Sequence, residues 1–125
     1  AVLDIRFWKA KDRDRILKAL RESAPALRGA RLKVAVEGQT PPMEKTRASE
    51  RLFVRAQEIA AGLGLALKGG RTGGGSDASI ASGLGVPTID GLGPDGDGLH
   101  SDHEHLLVPS FVERTALLTE LLKEL

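Results

Sequence analysis

Apolar and polar positions alternate along the first part of the chain in two different periods. Residues 3–8 alternate every second position, which predicts a strand. A helical stripe follows and predicts a helix that begins at an Asp12 N-cap and ends before Pro25. Apolar and polar residues alternate again at every second position in residues 31–37, which predicts a second strand. The first 37 residues therefore read as a β-α-β piece, which is small for an independent core.

Helices and short strands continue beyond the Pro/Gly-containing segment 38–42, which reads as a linker. A long apolar stripe predicts an amphipathic helix that ends at Gly62 and Gly64. Short strands are predicted at residues 65–68 and 86–89, with a short helix between them whose Ile80, Ala81 and Leu84 are expected to face inward.

A last apolar stripe predicts a helix at the carboxyl end of the chain. Ser110 followed by Glu113 fits a capping box at its start. The apolar positions of this helix are Val112, Leu117, Leu118, Leu121, Leu122 and Leu125. Helices interleaved with strands predict an α/β layer.

Composition and charge exclude several classes of protein. The 125 residues are enough for one domain of moderate size, and a net charge of +1 implies no broad surface for nucleic acid. The absence of cysteine rules out disulfides and thiolate ligands and is compatible with a reducing cytosol. No apolar run reaches the length that spans a membrane. We therefore expect a cytoplasmic protein without nucleic-acid or membrane partners.

Three histidines and two carboxylates fall within residues 100–105, HSDHEH. Neutral imidazole and carboxylate groups are ligands that zinc accepts, and the flexible glycine-containing segment before His100 suits a ligand presented from a loop. A solvated polar turn explains the same residues equally simply, because no His-Glu-x-x-His pattern accompanies them. A calcium loop at Asp95 and Asp97 is discarded, because no third acid follows at the required spacing.

The glycine turn at residues 72–77, TGGGSD, admits three interpretations. Successive backbone N–H groups before a helix attract anions, but no Walker-type lysine follows. The turn can also be purely structural. The third interpretation is that its N–H groups hold a substrate carbonyl or carboxylate.

Arg6 lies on the same strand face as Asp4. An exposed ion pair between them is the simple interpretation. The alternative is a clamp for a substrate carboxylate, which the planar guanidinium binds in a bidentate manner.

Taken together, these segments resemble the di-zinc metallopeptidases that include acetylornithine deacetylase, succinyl-diaminopimelate desuccinylase and bacterial glutamate carboxypeptidase. The segments that carry the resemblance are residues 3–7 (LDIRF), 41–44 (PPME), 72–77 (TGGGSD), 85–88 (GVPT), 91–94 (GLGP) and 100–104 (HSDHE). They follow the family's order and cover nearly the whole chain. Their form is closer to the glutamate-carboxypeptidase branch.

The resemblance implies a partial zinc-peptidase catalytic domain preceded by half of a β-α-β lid domain. Residues 1–37 would be the second half of the lid, which usually dimerises, 38–42 the linker, and 43–125 the carboxyl-terminal part of the catalytic domain. It also implies roles for three residues. Arg6 would bind the substrate's free carboxylate, Gly75 would approach the substrate near the scissile carbonyl, and His100 would ligate one metal ion.

The resemblance also shows what this chain lacks. The family's His-x-Asp motif, its bridging aspartate and its pair of glutamates have no counterpart here. We therefore expect a fragment of a zinc-dependent amidohydrolase or carboxypeptidase for N-acyl amino acids or small peptides, inactive alone and homo-oligomeric. Glu104 would hold a metal-ligating side chain in place or anchor the local backbone, and His103 and His105 would be surface groups. The alternative is a non-catalytic binding or oligomerisation module that re-uses the fold.

Overall fold

The computed structural model describes residues 1–124, which form four helices and one two-stranded antiparallel sheet. In chain order the elements are α1 (Ala10–Glu22), α2 (Arg47–Gly62), α3 (Ala78–Gly83), β1 (Gly96–Asp97), β2 (His105–Leu106) and α4 (Val108–Glu124). Their packing defines two units, each described by itself below. The first contains residues 1–44 and 72–86, and the second contains residues 45–71 and 87–124.

In the first unit, α1 starts two residues before the predicted N-cap. Lys9 occupies the cap position and its side chain makes no capping hydrogen bond. A residue distant in sequence provides the capping acceptor instead. The Glu44 carboxylate accepts a 2.9 Å hydrogen bond from the Ala10 N–H. Asp12 instead lies in the first turn, where its negative charge suits the positive end of the helix dipole. The helix therefore begins earlier than a local signal could indicate.

The short helix α3 in the same unit is packed against Pro41. A Cβ added at Gly83 would lie 2.6 Å from Pro41 Cγ, so only glycine fits there. The prediction that Ile80 and Leu84 face inward is wrong, since they are 52% and 80% exposed. Ser79 is the buried residue of this helix. Apolar spacing over six residues is too short to fix which side of a helix is covered.

The core of the second unit lies between α2 and α4. Ala56 and Ala60 of α2 are fully buried, as is Leu117 of α4, while Leu121 is 4% exposed. The small alanine side chains allow α4 to approach α2 closely. Partly buried residues around this centre are Ile59, Leu65, Leu67, Ile89 and Leu92. The predicted helices therefore meet through a narrow apolar seam.

One charged group also links α2 and α4. The Arg55 guanidinium donates a 2.7 Å hydrogen bond to Glu58 in its own helix and another to Glu124 in α4. The hydrogen bond to Glu58, followed by the one to Glu124, raises the pKa of Arg55 above its ordinary value. Arg55 therefore ties the end of α4 to α2.

The helix caps differ from the sequence prediction. A capping box does occur, but at the start of α2, where the Thr46 and Ser49 side chains each accept the other's backbone N–H. Ser110 lies inside α4 rather than at its cap. Its hydroxyl donates to the Leu107 carbonyl at 2.7 Å and accepts the Asp95 N–H at 2.8 Å. Ser110 thus fixes the preceding loop onto the helix.

The predicted strands are not formed. Residues 3–8, 31–37, 65–68 and 86–89 carry no strand in the structure. An alternating pattern selects side-chain faces, but a strand also needs a neighbouring strand to pair with, and the one strand pair assigned in residues 1–124 is β1 with β2. The sheet forms instead between β1 and β2. The chain is therefore a mostly helical α/β arrangement.

The predicted boundaries between the half lid, the linker and the catalytic part, at residues 37 and 43, remain a prediction. Leu125, the last apolar position of the predicted final helix, lies outside the described residues. Among residues 1–124, no helix combines the length and the apolar character needed to cross a membrane.

Candidate functional site

The β1–β2 hairpin presents His100 on its loop, residues 98–104, in the second unit. Gly96 in β1 and Gly98 in the loop must be glycine, because carbonyl groups of the facing backbone lie close to both. A Cβ at Gly96 would collide with the His105 carbonyl, and one at Gly98 would lie 2.7 Å from the His103 carbonyl. Gly98 also has a φ of +73°, which glycine adopts without steric cost. The glycine-rich segment before His100 therefore builds a tight hairpin.

His100 is held in an unusual backbone conformation. Its φ is +63°, the left-handed region that costs a residue with a Cβ about 1 to 2 kcal/mol. Its N–H donates a 3.1 Å hydrogen bond to the Glu104 carboxylate, which stabilises this turn. The expected local-anchor role of Glu104 is confirmed. His100 is exposed to solvent.

Ser101 organises the rest of this loop. Its hydroxyl donates to the Gly98 carbonyl at 2.6 Å and accepts the His103 N–H at 3.2 Å. The Ser101 carbonyl accepts the Glu104 N–H at 3.1 Å. Sequence reasoning missed this residue, although a serine beside a candidate ligand in a tight turn is a usable signal.

The other two histidines are exposed, as expected of surface groups. The Nδ1 of His105 lies 2.9 Å from the His103 carbonyl, so this imidazole contacts the backbone of the preceding loop. In residues 1–124, no three side chains of His, Cys, Asp or Glu converge closely enough to hold a metal ion. A zinc site takes three or four protein ligands. The donor set of the described chain therefore does not fit a zinc centre, and His100 stands without co-ligands.

Arg6 in the first unit joins two distant segments. Its Nε and Nη2 donate to Asp4 Oδ2 at 3.2 and 3.1 Å, and its Nη1 donates to the Gly73 carbonyl at 3.0 Å. The ion-pair interpretation is thus confirmed, with a backbone contact in addition. The Arg6 and Asp4 side chains are 68% and 73% exposed, so the pair itself is worth little.

The glycine turn that Arg6 touches is open to solvent over residues 72–75. The Thr72 hydroxyl accepts the Gly74 N–H at 3.2 Å, and the Ser76 hydroxyl accepts the Ala78 N–H at 3.2 Å. A Cβ placed at Gly75 would meet nothing within 4 Å. Packing in this structure therefore does not require glycine at position 75, and its backbone is approachable.

The structure thus brings two of the three predicted site residues into one unit. Arg6 contacts the turn that contains Gly75, whereas His100 belongs to the other unit. Gly73, the acceptor of the Arg6 hydrogen bond, was not singled out from the sequence. Nothing in the sequence pattern pairs residue 6 with residue 73.

Comparison with known proteins places this chain in a class of metallopeptidases. Residues 8–124 match the model of Peptidase family M20/M25/M40, and the chain belongs to this family. Enzymes of this family are generally zinc-dependent. The match begins after Arg6, so the role of Arg6 rests on the resemblance carried by residues 3–7.

The chain is also similar to Carboxypeptidase G2 of Pseudomonas sp. (strain RS-16). The two are 32% identical over 129 aligned positions, which cover 98% of this chain and 30% of that protein. The chain therefore spans about a third of its relative's length. No solved structure gives a significant match.

Proposed function

We propose that this chain is the carboxyl-terminal part of a zinc-dependent amidohydrolase or carboxypeptidase. Its substrates would be N-acyl amino acids or small peptides with a free carboxylate. Membership of the metallopeptidase family supports the reaction class, and the similarity to a carboxypeptidase supports a substrate with a free carboxylate. Residues 1–37 would be half of the lid, and residues 43–125 part of the catalytic domain.

The isolated position of His100 carries the proposal that this part is inactive alone. A bound zinc ion would supply Lewis-acid activation of a water, which requires several ligands to hold the ion and a base to take the proton. Among the described residues, His100 is a candidate ligand without the converging carboxylates that would complete the site. This part would therefore contribute one ligand to a centre assembled with other residues.

Arg6 and Gly75 would contribute to substrate binding. A carboxylate could accept two parallel hydrogen bonds from the Arg6 guanidinium by displacing Asp4 and the Gly73 carbonyl, its present partners. The open backbone at Gly75 would lie beside the substrate amide. Both residues are in the same unit, which supports their acting on one substrate.

An assay of residues 1–125 with N-acyl amino acids and excess zinc tests the proposal. We expect no hydrolysis above that of a buffer blank. The control is His100→Ala, which removes the candidate ligand. Turnover by the wild-type chain that disappears in His100→Ala would show a working centre and contradict the proposal. Turnover that is equal in both chains would trace to a contaminating hydrolase and would require further purification.

A second candidate function is a non-catalytic binding or oligomerisation module in the cytoplasm. The observation that favours it is the amount of exposed apolar surface, with Val108, Val112 and Leu122 of α4 each at least 65% exposed. Isolated exposed apolar residues are ordinary, but several on one helix face indicate an interaction surface. A homo-oligomer would cover them.

A further inference from the structure

Three residues close the base of the hairpin that carries His100. Asp95 precedes β1 and Leu107 follows β2, so these two residues end the hairpin. The Leu107 N–H donates to the Asp95 carbonyl at 2.8 Å. The Ser110 hydroxyl accepts the Asp95 N–H at 2.8 Å and donates to the Leu107 carbonyl at 2.7 Å. Each member of this base ring (Asp95, Leu107 and Ser110) is therefore bonded to the other two, and one side chain of α4 holds both ends of the hairpin.

The base ring is shielded from water at its helical corner. Ser110 is 5% exposed, so water has little access to its hydroxyl. That hydroxyl uses both its donor and an acceptor lone pair within the ring. If it were removed, the Asp95 N–H and the Leu107 carbonyl would each lose a partner that solvent replaces poorly. The ring therefore differs from the exposed Arg6 contacts, which water can replace.

Arg114 holds the same hairpin one helical turn further along α4. It lies four residues after Ser110 and so faces the same side of the helix. Its Nη2 donates to Asp95 Oδ1 at 3.1 Å, and its side chain is 20% exposed. Asp95 is thus held through its N–H, its carbonyl and its carboxylate. Two attachments one turn apart restrict the rotation of the hairpin on the helix as well as its position.

The helix that supports the hairpin is itself fixed in the core. Leu117 and Leu121 of α4 are buried against α2. The Leu107 carbonyl also accepts the Phe111 N–H at 3.3 Å, so the end of the hairpin is continuous with the first turn of α4. From the base ring, the paired strands β1 and β2 extend to the loop 98–104. The orientation of this loop is therefore set relative to the core of the second unit.

We propose that Ser110 and Arg114 are positioning residues for His100. This inference rests on the proposed role of His100 as one ligand of a centre completed by other residues. A ligand presented from a loop must be held closely in place, because small displacements weaken a metal site. Glu104 fixes the shape of the loop from within, whereas Ser110 and Arg114 fix where the loop stands on α4.

Backbone N–H residual dipolar couplings of residues 1–125 measure the orientation of the His100 loop relative to α4. We expect Ser110→Ala to change the couplings of residues 98–104 and to leave those of α2 and the buried half of α4 unchanged. We also expect the Leu107 amide to exchange about tenfold faster, since the ring opens. Thr119→Ala is the matched control, because it removes a hydroxyl that donates to a carbonyl within α4. It should alter neither quantity.

Two further variants separate positioning from a merely structural role. Ser110→Thr keeps the hydroxyl and is expected to retain the wild-type loop couplings. Arg114→Met keeps an unbranched side chain but loses the donor, and is expected to change the loop couplings in a folded chain. Arg114→Met also decides the matter if Ser110→Ala does not fold.

Unchanged loop couplings in Ser110→Ala or in Arg114→Met would overturn the proposal. The same holds for a change of equal size in Thr119→Ala, or for equal changes in Ser110→Thr and Ser110→Ala, which would trace the effect to packing. The couplings are measured without metal or substrate. Failure of this inference is therefore distinguishable from failure of the proposed function, which would appear as turnover by the chain alone.

Discussion

Arg6 donates a 3.0 Å hydrogen bond to the carbonyl of Gly73, which lies 67 residues further along the chain. This contact joins the amino-terminal segment to the glycine turn within one unit. Both partners are exposed, so the contact contributes little to stability and can be exchanged for another acceptor. Its significance is that the guanidinium is already directed at the turn proposed to hold substrate.

Replacing Arg6 with lysine tests this contact. Arg6→Lys keeps the charge but loses the planar fork that reaches Asp4 and Gly73 together. We expect amide shifts in the ¹⁵N-¹H spectrum at residues 72–77 and a change of less than about 1 kcal/mol in the free energy of unfolding. Arg15→Lys, in an exposed ion pair on α1, is the control. An unchanged spectrum over residues 72–77 would show that Arg6 does not position the turn.

Replacing Glu104 with alanine tests the anchor of the His100 loop. Its carboxylate accepts the His100 N–H, so Glu104→Ala should expose that amide to solvent. We expect faster amide exchange at His100 and a loss of about 1 kcal/mol in the free energy of unfolding. Glu113→Ala removes an exposed carboxylate from α4 and serves as the control. Equal His100 exchange in both variants would refute the anchor.

The left-handed conformation of His100 predicts that a glycine substitution at this position stabilises the protein, whereas most glycine substitutions destabilise. Because φ is +63°, His100→Gly should relieve strain and raise the free energy of unfolding by about 1 kcal/mol. His103→Gly, at a residue outside the positive-φ set, should lower it by about 0.5 to 1 kcal/mol, since glycine gains more freedom on unfolding. Chemical denaturation measures both. A similar decrease in the free energy of unfolding of both variants would contradict the claim that the His100 backbone is strained.

Sequence reasoning located the helices better than the strands. The stripe of α2 and its end near Gly62 are confirmed, because a helix satisfies its backbone hydrogen bonds locally. The strands at residues 3–8 and 31–37 are not formed, because strands depend on a partner that a local pattern cannot specify. For the site, the sequence indicated Arg6, Gly75 and His100. It could not reveal that Arg6 reaches residue 73, since that contact follows from tertiary packing alone.

The two faces of α4 should respond differently to truncation. Leu117 is fully buried against α2, so Leu117→Ala should lower the free energy of unfolding by about 2 to 5 kcal/mol. The neighbouring Leu118 is 46% exposed, and Leu118→Ala should cost less than about 1.5 kcal/mol when measured in dilute solution. Thermal unfolding monitored by circular dichroism compares the pair. Similar losses would show that the core does not lie on the Leu117 side.

The number of zinc ions bound by the purified chain tests the proposed division of the catalytic centre most directly. Calorimetric titration of residues 1–125 and of His100→Ala with zinc, followed by metal analysis after dialysis, gives this number. Since His100 has no converging co-ligands among the described residues, we expect less than one retained ion per chain and little difference between the two proteins. Two tightly held ions per chain, lost in His100→Ala, would contradict this.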